Sequence, residues 1–205
     1  DYCNTSGKQI EFTFVSSWFV YGDTELPAKE TSYCKPKGFY SITKRTAEQL
    51  LESYCKTFDM KYKIVRLANV VGKGDGKVSK KKNALQYLIE EMIHDRDINL
   101  YNSGNFYRDI LHVDDAVDGL KFVMDKGESG EIYNLGSGCA PVLFKDMIRF
   151  LRNELQSSSK IGTMPPTNFH KIVQVESMYL DTEKVRRLGF QPKRVVFETL
   201  SDLVC

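Results

Sequence analysis

The stretch GFYSITKRTAEQLLESY, Gly38–Tyr54, decides how the rest of this 205-residue chain is read. It sets a tyrosine and a lysine, Tyr40 and Lys44, four residues apart at the head of a run of good helix formers. Ala47, Leu50, Leu51, Tyr54 and Phe58 recur at helical spacing, which predicts an amphipathic helix from about Phe39 to Phe58. Positions i and i+4 share a helix face, so the phenol and the amine point the same way. A free phenol titrates near about 10, too high for a base at neutral pH, and a nearby ammonium favours the phenolate. The spacing makes chemical sense if Tyr40 trades a proton with a substrate hydroxyl. Taken alone, a YxxxK pair is also a common surface feature, so the flanking sequence has to decide.

Upstream, QIEFTFVSS (Gln9–Ser17) reads as a buried strand, followed by the polar loop YGDTELPAKETSYCKPKG. Downstream, YKIVRLANVVG (Tyr62–Gly72) is a second apolar strand. Strand, loop, helix and strand in that order predict a parallel βαβ unit. Such sheets hold ligands beyond their carboxyl edge, where Ser16 and Ser17 fall. A serine hydroxyl there would bond the substrate oxygen that Tyr40 serves, although serines at strand ends also act as plain turn formers. Further on, Lys73–Lys82 reads as a basic, solvated loop, and NALQYLIEEMIHD as a helix with Leu85, Leu88, Ile89 and Met92 on one face. A short strand, a glycine turn, another strand and a helix starting near Asp114 or Asp115 follow. EIYNLGSG is one more strand. After the helix FKDMIRFLRNEL comes a polar stretch around residue 165, then a pair of short closing helices.

Composition narrows the function. Twenty-nine Lys and Arg against 27 Asp and Glu leave a formal charge of +2, which gives no reason to expect a polyanion such as nucleic acid. No apolar run approaches the roughly 20 residues that span a bilayer, and no membrane partner is expected. Five scattered cysteines without a CxxC pair fit reduced thiols in a cytoplasmic protein. His94, His112 and His170 lie at no ligand spacing, so no metal is expected.

In order along nearly the whole chain, the blocks VSSWFVYGD, YSITK, RLANVVG, NALQYLI, GNFYRDILHVDDAV and EIYNLGSG resemble the extended short-chain dehydrogenase/reductase family. These are the NAD-dependent nucleotide-sugar epimerases and dehydratases. The resemblance implies an α/β fold: a partial Rossmann-type parallel sheet whose N-terminal βαβ units are missing, with a smaller mixed α/β substrate-binding part. Residues 1–72 would be the C-terminal half of the Rossmann domain. Residues 73–205 would mostly bind the nucleotide sugar, with the strand and helix around 106–125 returning to the Rossmann domain. It makes Ser17 the catalytic hydroxyl, Tyr40 the general acid/base, and Lys44 the cation that favours its phenolate and binds the nicotinamide ribose. Ser16, Tyr40 and Lys44 would face the cofactor, NAD with NADP left open. Ser17, Asn69, Asn83 and Arg108 would face the substrate, Asn69 and Arg108 at its diphosphate.

The residues themselves support the arginine, since a guanidinium fork suits phosphate oxygens; a salt bridge to neighbouring Asp109 is the competing account. Asp115 reads as a helix cap and structural partner, and Arg66 as a buried structural charge. The family commonly forms a homodimer through helices like Phe39–Phe58, although that apolar stripe suits packing within one chain equally.

Two departures shape the expectation. The family opens with a glycine-rich turn that cradles the dinucleotide pyrophosphate, and nothing here matches it. The chain is therefore expected to be a fragment, or to need a complementary chain or segment, for tight dinucleotide binding. Micromolar binding by calorimetry of this polypeptide alone would overturn that. Second, the family's 4,6-dehydratases carry an Asp-Glu pair after the catalytic hydroxyl, where this chain has Trp18 and Phe19. Neither moves protons, which disfavours dehydration and leaves oxidation or reduction at one sugar carbon, most commonly 4-epimerisation. A nucleotide-sugar ketoreductase or 4,6-dehydratase of the same family, and an inactive truncated homologue acting as a binding partner, stand as alternatives. A smaller departure is Lys171, where family members often carry an arginine ahead of the residue aligned with Asp181.

Overall fold

The computed structural model describes residues 10–73 and 84–204; Asn83 and most of the basic loop lie outside that range. In chain order the strands are β1 (Glu11–Ser17), β2 (Lys61–Leu67), β3 (Asn69–Val71), β4 (Ile98–Tyr101), β5 (Tyr107–Arg108), β6 (Ile110–His112), β7 (Ile132–Leu135), β8 (Val142–Leu143) and β9 (Ile161–Met164). The helices are α1 (Phe39–Thr57), α2 (Ala84–Ile93), α3 (Val113–Lys126), α4 (Phe144–Glu154), α5 (Asn168–Val173), α6 (Glu183–Arg187) and α7 (Val196–Asp202).

The expected parallel βαβ unit is present. β1 and β2 run parallel in register from Glu11↔Lys61 to Ser17↔Leu67, and α1 crosses between them. The third strand of this sheet is β7, parallel to β2, so it comes from beyond the 106–125 segment. α3 packs against β2 and β7, whereas β6 pairs with β3 instead of joining the sheet. Among the described residues β1 forms an edge, with Phe12 and Val15 exposed.

Three features differ from the sequence reading, each because a tertiary partner overrides a local pattern. The apolar run Tyr62–Gly72 is two strands. At Ala68 the chain donates to Leu135 O (2.8 Å) and at Asn69 to Asp109 O (3.1 Å), so it leaves one partner for another. The polar stretch near residue 165 contains β9, which exists through its parallel pairing with β4 and then gives way to α5. The third concerns α1. Its buried residues are Ser41, Glu48 and Cys55, while Leu50, Tyr54 and Phe58 of the apolar stripe are exposed. The helix docks by its polar face because that face carries Lys44 and Glu48, both of which bond the sheet.

A small apolar cluster joins Cys55 and Leu51 of α1 to Tyr62 and Ile64 of β2, and two larger ones fill the rest. One lies around Trp18, Val20, Tyr21, Val65, Leu111 and Leu135, on the strands and turns that carry the candidate site. The other packs α2, α4 and α7 together through Leu88, Met92, Ile148, Leu151 and Leu200. Leu85, Leu88, Ile89 and Met92 are buried as the helical spacing predicts.

Candidate active site

β1 ends at Ser17, and the chain turns at once into a 3₁₀ turn, Trp18–Tyr21. Ser17 caps that turn: its Oγ accepts the Phe19 N–H at 3.3 Å. Since the oxygen is used as an acceptor, its own O–H remains available as a donor. The hydroxyl sits at the carboxyl edge of a parallel pair, where an α/β sheet holds ligands.

α1 starts at the same edge because it runs back against the strands. Gly38 and Ser41 close its first turn through Gly38 N to Ser41 Oγ (3.0 Å) and Ser41 Oγ to Gly38 O (2.8 Å). Tyr40 follows, 55% exposed. One turn on, Lys44 Nζ donates to Val15 O of β1 at 2.8 Å and lies 5.9 Å from the Tyr40 ring centre. An ammonium has three N–H donors, so two remain beside the phenol. The Phe19 ring meets Tyr40 edge-on, with centroids 6.1 Å apart. Ser17, Tyr40 and Lys44 thus gather at one sheet rim, linked through Phe19 and the last residues of β1.

Ser16 does not share that rim with its neighbour, because adjacent strand residues face opposite ways. Its hydroxyl is buried under α1 and turned to the Glu48 carboxylate, which it helps keep ionised without a hydrogen bond of regular geometry. In this structure the hydroxyl lies by an ion pair. That pair is Glu48–Arg66, with Arg66 Nε and Nη2 bonding the carboxylate at 3.0 and 2.8 Å and both side chains at or below 1% exposure. Burial pushes the Glu48 carboxyl up, but the Arg66 bonds and charge outweigh it and leave it below the usual range. The same pairing overcomes desolvation of Arg66 and holds its guanidinium above its ordinary value. Arg66 also lies over the Tyr21 ring, whose phenol burial pushes up to about 12.

The Arg108 guanidinium lies 5.7 Å from the Trp18 ring and 4.4 Å from that of Phe106. It forms no bridge to Asp109. Its Nη1 donates to the carbonyls of Tyr107 (2.8 Å) and Glu176 (2.6 Å), and its Nη2 to Val175 O (3.0 Å). Asp109 turns inward instead and accepts from Ser137 N (2.8 Å) and Leu180 N (3.2 Å). Burial lowers the Arg108 guanidinium to about 10, opposed by the Glu176 charge. Among the described residues no carboxylate pairs with it within 4.0 Å. Among the described residues the Nε–H and one Nη2–H have no acceptor, and paired guanidinium N–H groups suit an oxyanion. Asn69 lies close by, since its backbone N–H and Nδ2 both donate to Asp109 O.

Asn83 falls outside the described residues. Asp115 is not the cap of α3: His112 is, accepting from Asp114 N at 3.1 Å, while Asp115 fixes Lys193 N and Arg194 N. Sequence reasoning missed Glu48, which shares the face of Tyr40 and Lys44 at i+8 and i+4; a carboxylate in that row was the available signal. Nothing in the spacing marks the ring contact of Phe19.

A parallel sheet whose carboxyl rim gathers a serine and a YxxxK pair, with an arginine on the nearby β5 free of carboxylate partners among the described residues, is the arrangement of a Rossmann-type α/β protein. The profile of the NAD dependent epimerase/dehydratase family matches residues 1–136, and the chain belongs to that family. Mouse dTDP-D-glucose 4,6-dehydratase is 27% identical over 187 residues, 89% of this chain. The dTDP-4-dehydro-6-deoxyglucose reductase of Escherichia coli is 24% identical over 188 residues, 90% of the chain. The fold matches UDP-glucose 4-epimerase from Thermotoga maritima, solved with UDP-glucose, at a TM-score of 0.84 over 98% of the chain and 24% identity. The chain spans 51% and 57% of the two curated relatives and 64% of the epimerase. No helix among the described residues is long and apolar enough to cross a membrane.

Proposed function

We propose that this chain forms the nicotinamide-facing and sugar-facing part of a nucleotide-sugar epimerase, one that transiently oxidises a single sugar hydroxyl, at C4. The observation that carries the reading is the convergence at the end of β1. Ser17 has a spare O–H, Tyr40 is exposed, and the Lys44 ammonium is anchored on Val15 O beside it. Those residues fit the nicotinamide end of NAD, because Lys44 keeps two N–H donors for ribose hydroxyls. NADP is accepted equally well by this set. When bound, the nicotinamide would supply the acceptor and donor of hydride for the sugar carbon.

The chain's own residues do the rest. Tyr40 takes the hydroxyl proton as the C–H electrons depart and gives it back when they return on the opposite face. The Ser17 O–H donates to the same oxygen, and the Lys44 charge favours the phenolate. The free Nε–Nη2 edge of Arg108 grips the diphosphate, and Asn69 stands beside it. Neither Trp18 nor Phe19 carries an acid or base that titrates near neutral pH, which argues against elimination of water. The ketoreductase reading is supported by the kinship with the E. coli reductase and separates on stoichiometry: an epimerase leaves the nicotinamide pool unchanged, a reductase consumes it.

Nucleotide-sugar binding tests the reading without turnover. Calorimetry with UDP-glucose and dTDP-glucose should show binding that Arg108→Lys weakens about tenfold or more, because a lysine replaces a fork with a point charge. Equal affinity in the variant would remove the diphosphate from this arginine. The exposed stripe of Leu50, Tyr54 and Phe58 on α1 is proposed as the surface for a second copy. Sedimentation should then find a dimer; a monomer throughout would discard that surface.

A further inference from the structure

The rings beside the reacting groups form a column. Tyr40 meets Phe19 edge-on at an interplanar angle of 88°, and Phe19 stacks on Trp18 with centroids 3.8 Å apart. Trp18, buried in the core, carries the Arg108 guanidinium, which in turn lies on Phe106. The column therefore runs from the proton-transfer residues to the anion clamp. Phe19 occupies a particular place in it, since it touches both reacting groups by different parts of itself. Its N–H is held by Ser17 Oγ, and its ring makes a T-shaped contact with Tyr40.

We infer that Phe19 is a positioning residue: it fixes Tyr40 and Ser17 relative to each other through its ring and its backbone N–H. Resting on the epimerase-type reading above, this assigns a task to a side chain that has no proton to contribute. The physical reason is the exposure of the phenol. A tyrosine 55% exposed at the first turn of a helix has little else to select its rotamer. Among the described residues the Lys44 ammonium also lies near its ring, 5.9 Å from the ring centre. An edge-to-face contact favours one ring orientation, and Trp18 locks the ring that provides it. The N–H of the same residue occupies one lone pair of Ser17 and so limits where that O–H points. One residue thereby sets two of the three groups that must meet a single substrate oxygen, and small displacements there are costly.

The test compares Phe19→Leu, which keeps apolar bulk but removes the ring, with Phe19→Tyr, which restores it. The readout is ¹⁹F NMR of protein labelled with 3-fluorotyrosine, the Tyr40 line being assigned from its loss in Tyr40→Phe. Phe19→Leu should shift the Tyr40 line toward the position of free, mobile fluorotyrosine, and Phe19→Tyr should return it. In turnover, Phe19→Leu should lower kcat about three- to tenfold with KM within about twofold, and Phe19→Tyr should recover it. An unchanged Tyr40 line in Phe19→Leu overturns the inference even if Tyr40 proves essential. If Tyr40→Phe turns over normally while the line moves as stated, the ring contact stands and the catalytic reading falls.

Discussion

Tyr40→Phe should lower the rate of sugar oxidation by about 10²–10⁴-fold, the usual worth of a positioned general acid/base. The substitution removes one oxygen and leaves the ring, so the contact with Phe19 and the position of Lys44 are kept. The phenol is half exposed, and among the described residues its hydroxyl bonds nothing. Folding should therefore be unchanged, within roughly 0.5 kcal/mol, as for surface substitutions generally. Nucleotide-sugar affinity should also hold, because the diphosphate is assigned to Arg108. A large loss of rate with intact stability and binding isolates the proton transfer. A variant that keeps half its rate would mean that the proton goes elsewhere.

Glu48→Ala should be the most destabilising single change near the site. It leaves the Arg66 guanidinium, 1% exposed, without its carboxylate, and breaking one side of such a pair costs about 3–5 kcal/mol. For a domain this size, about 2–4 °C of Tm is lost per kcal/mol, so the melting point should fall by roughly 10 °C. Arg45, which also bonds the carboxylate, loses its partner in the same step. The double variant Glu48→Leu, Arg66→Met should regain most of the loss, since an apolar pair of similar volume often replaces a buried ion pair without cost. The pH dependence has a definite sign. Glu48 is held below its ordinary carboxylate value, so its contribution is present above that value and lost as pH falls through the lowered one. Arg66, raised, stays charged throughout. Asp109, which burial pushes up, acts in the opposite sense and favours the fold toward acid. Denaturant midpoints measured across the acid range, for wild type and for the double variant, separate the two carboxyls. If the double variant loses stability toward acid as steeply as wild type, Glu48 is not the responsible group.

Much of the site was legible because its signals are local. The YxxxK spacing on a helix, and serines at the end of an apolar strand, are short-range patterns, and the rim gathers Ser17, Tyr40 and Lys44 as those patterns imply. The parallel unit β1–α1–β2 was legible for the same reason, as periodicity switches from strand to helix and back. What escaped depends on partners distant in the chain. The break at Ala68 is set by Leu135 and Asp109, and β9 forms only against β4. The reversal of α1 is the clearest case. Its apolar stripe suited a dimer face and packing within the chain equally, and the Glu48–Arg66 pair and the Lys44 bond to β1 turn the polar face inward and leave Leu50 and Tyr54 exposed. A hydrophobic pattern cannot anticipate a buried ion pair whose second member sits on another strand. The place of the Ser16 hydroxyl by that pair escaped for the same reason.

The account stands or falls on one substrate oxygen meeting both a phenol and a serine hydroxyl. A crystal structure of the chain with UDP-glucose or dTDP-glucose addresses that directly. It should place one sugar hydroxyl within about 3.2 Å of both Tyr40 Oη and Ser17 Oγ, with the diphosphate against Arg108. A sugar seated away from that rim, for example in the cleft lined by Tyr33, Cys34, Arg45 and Glu52, would contradict it.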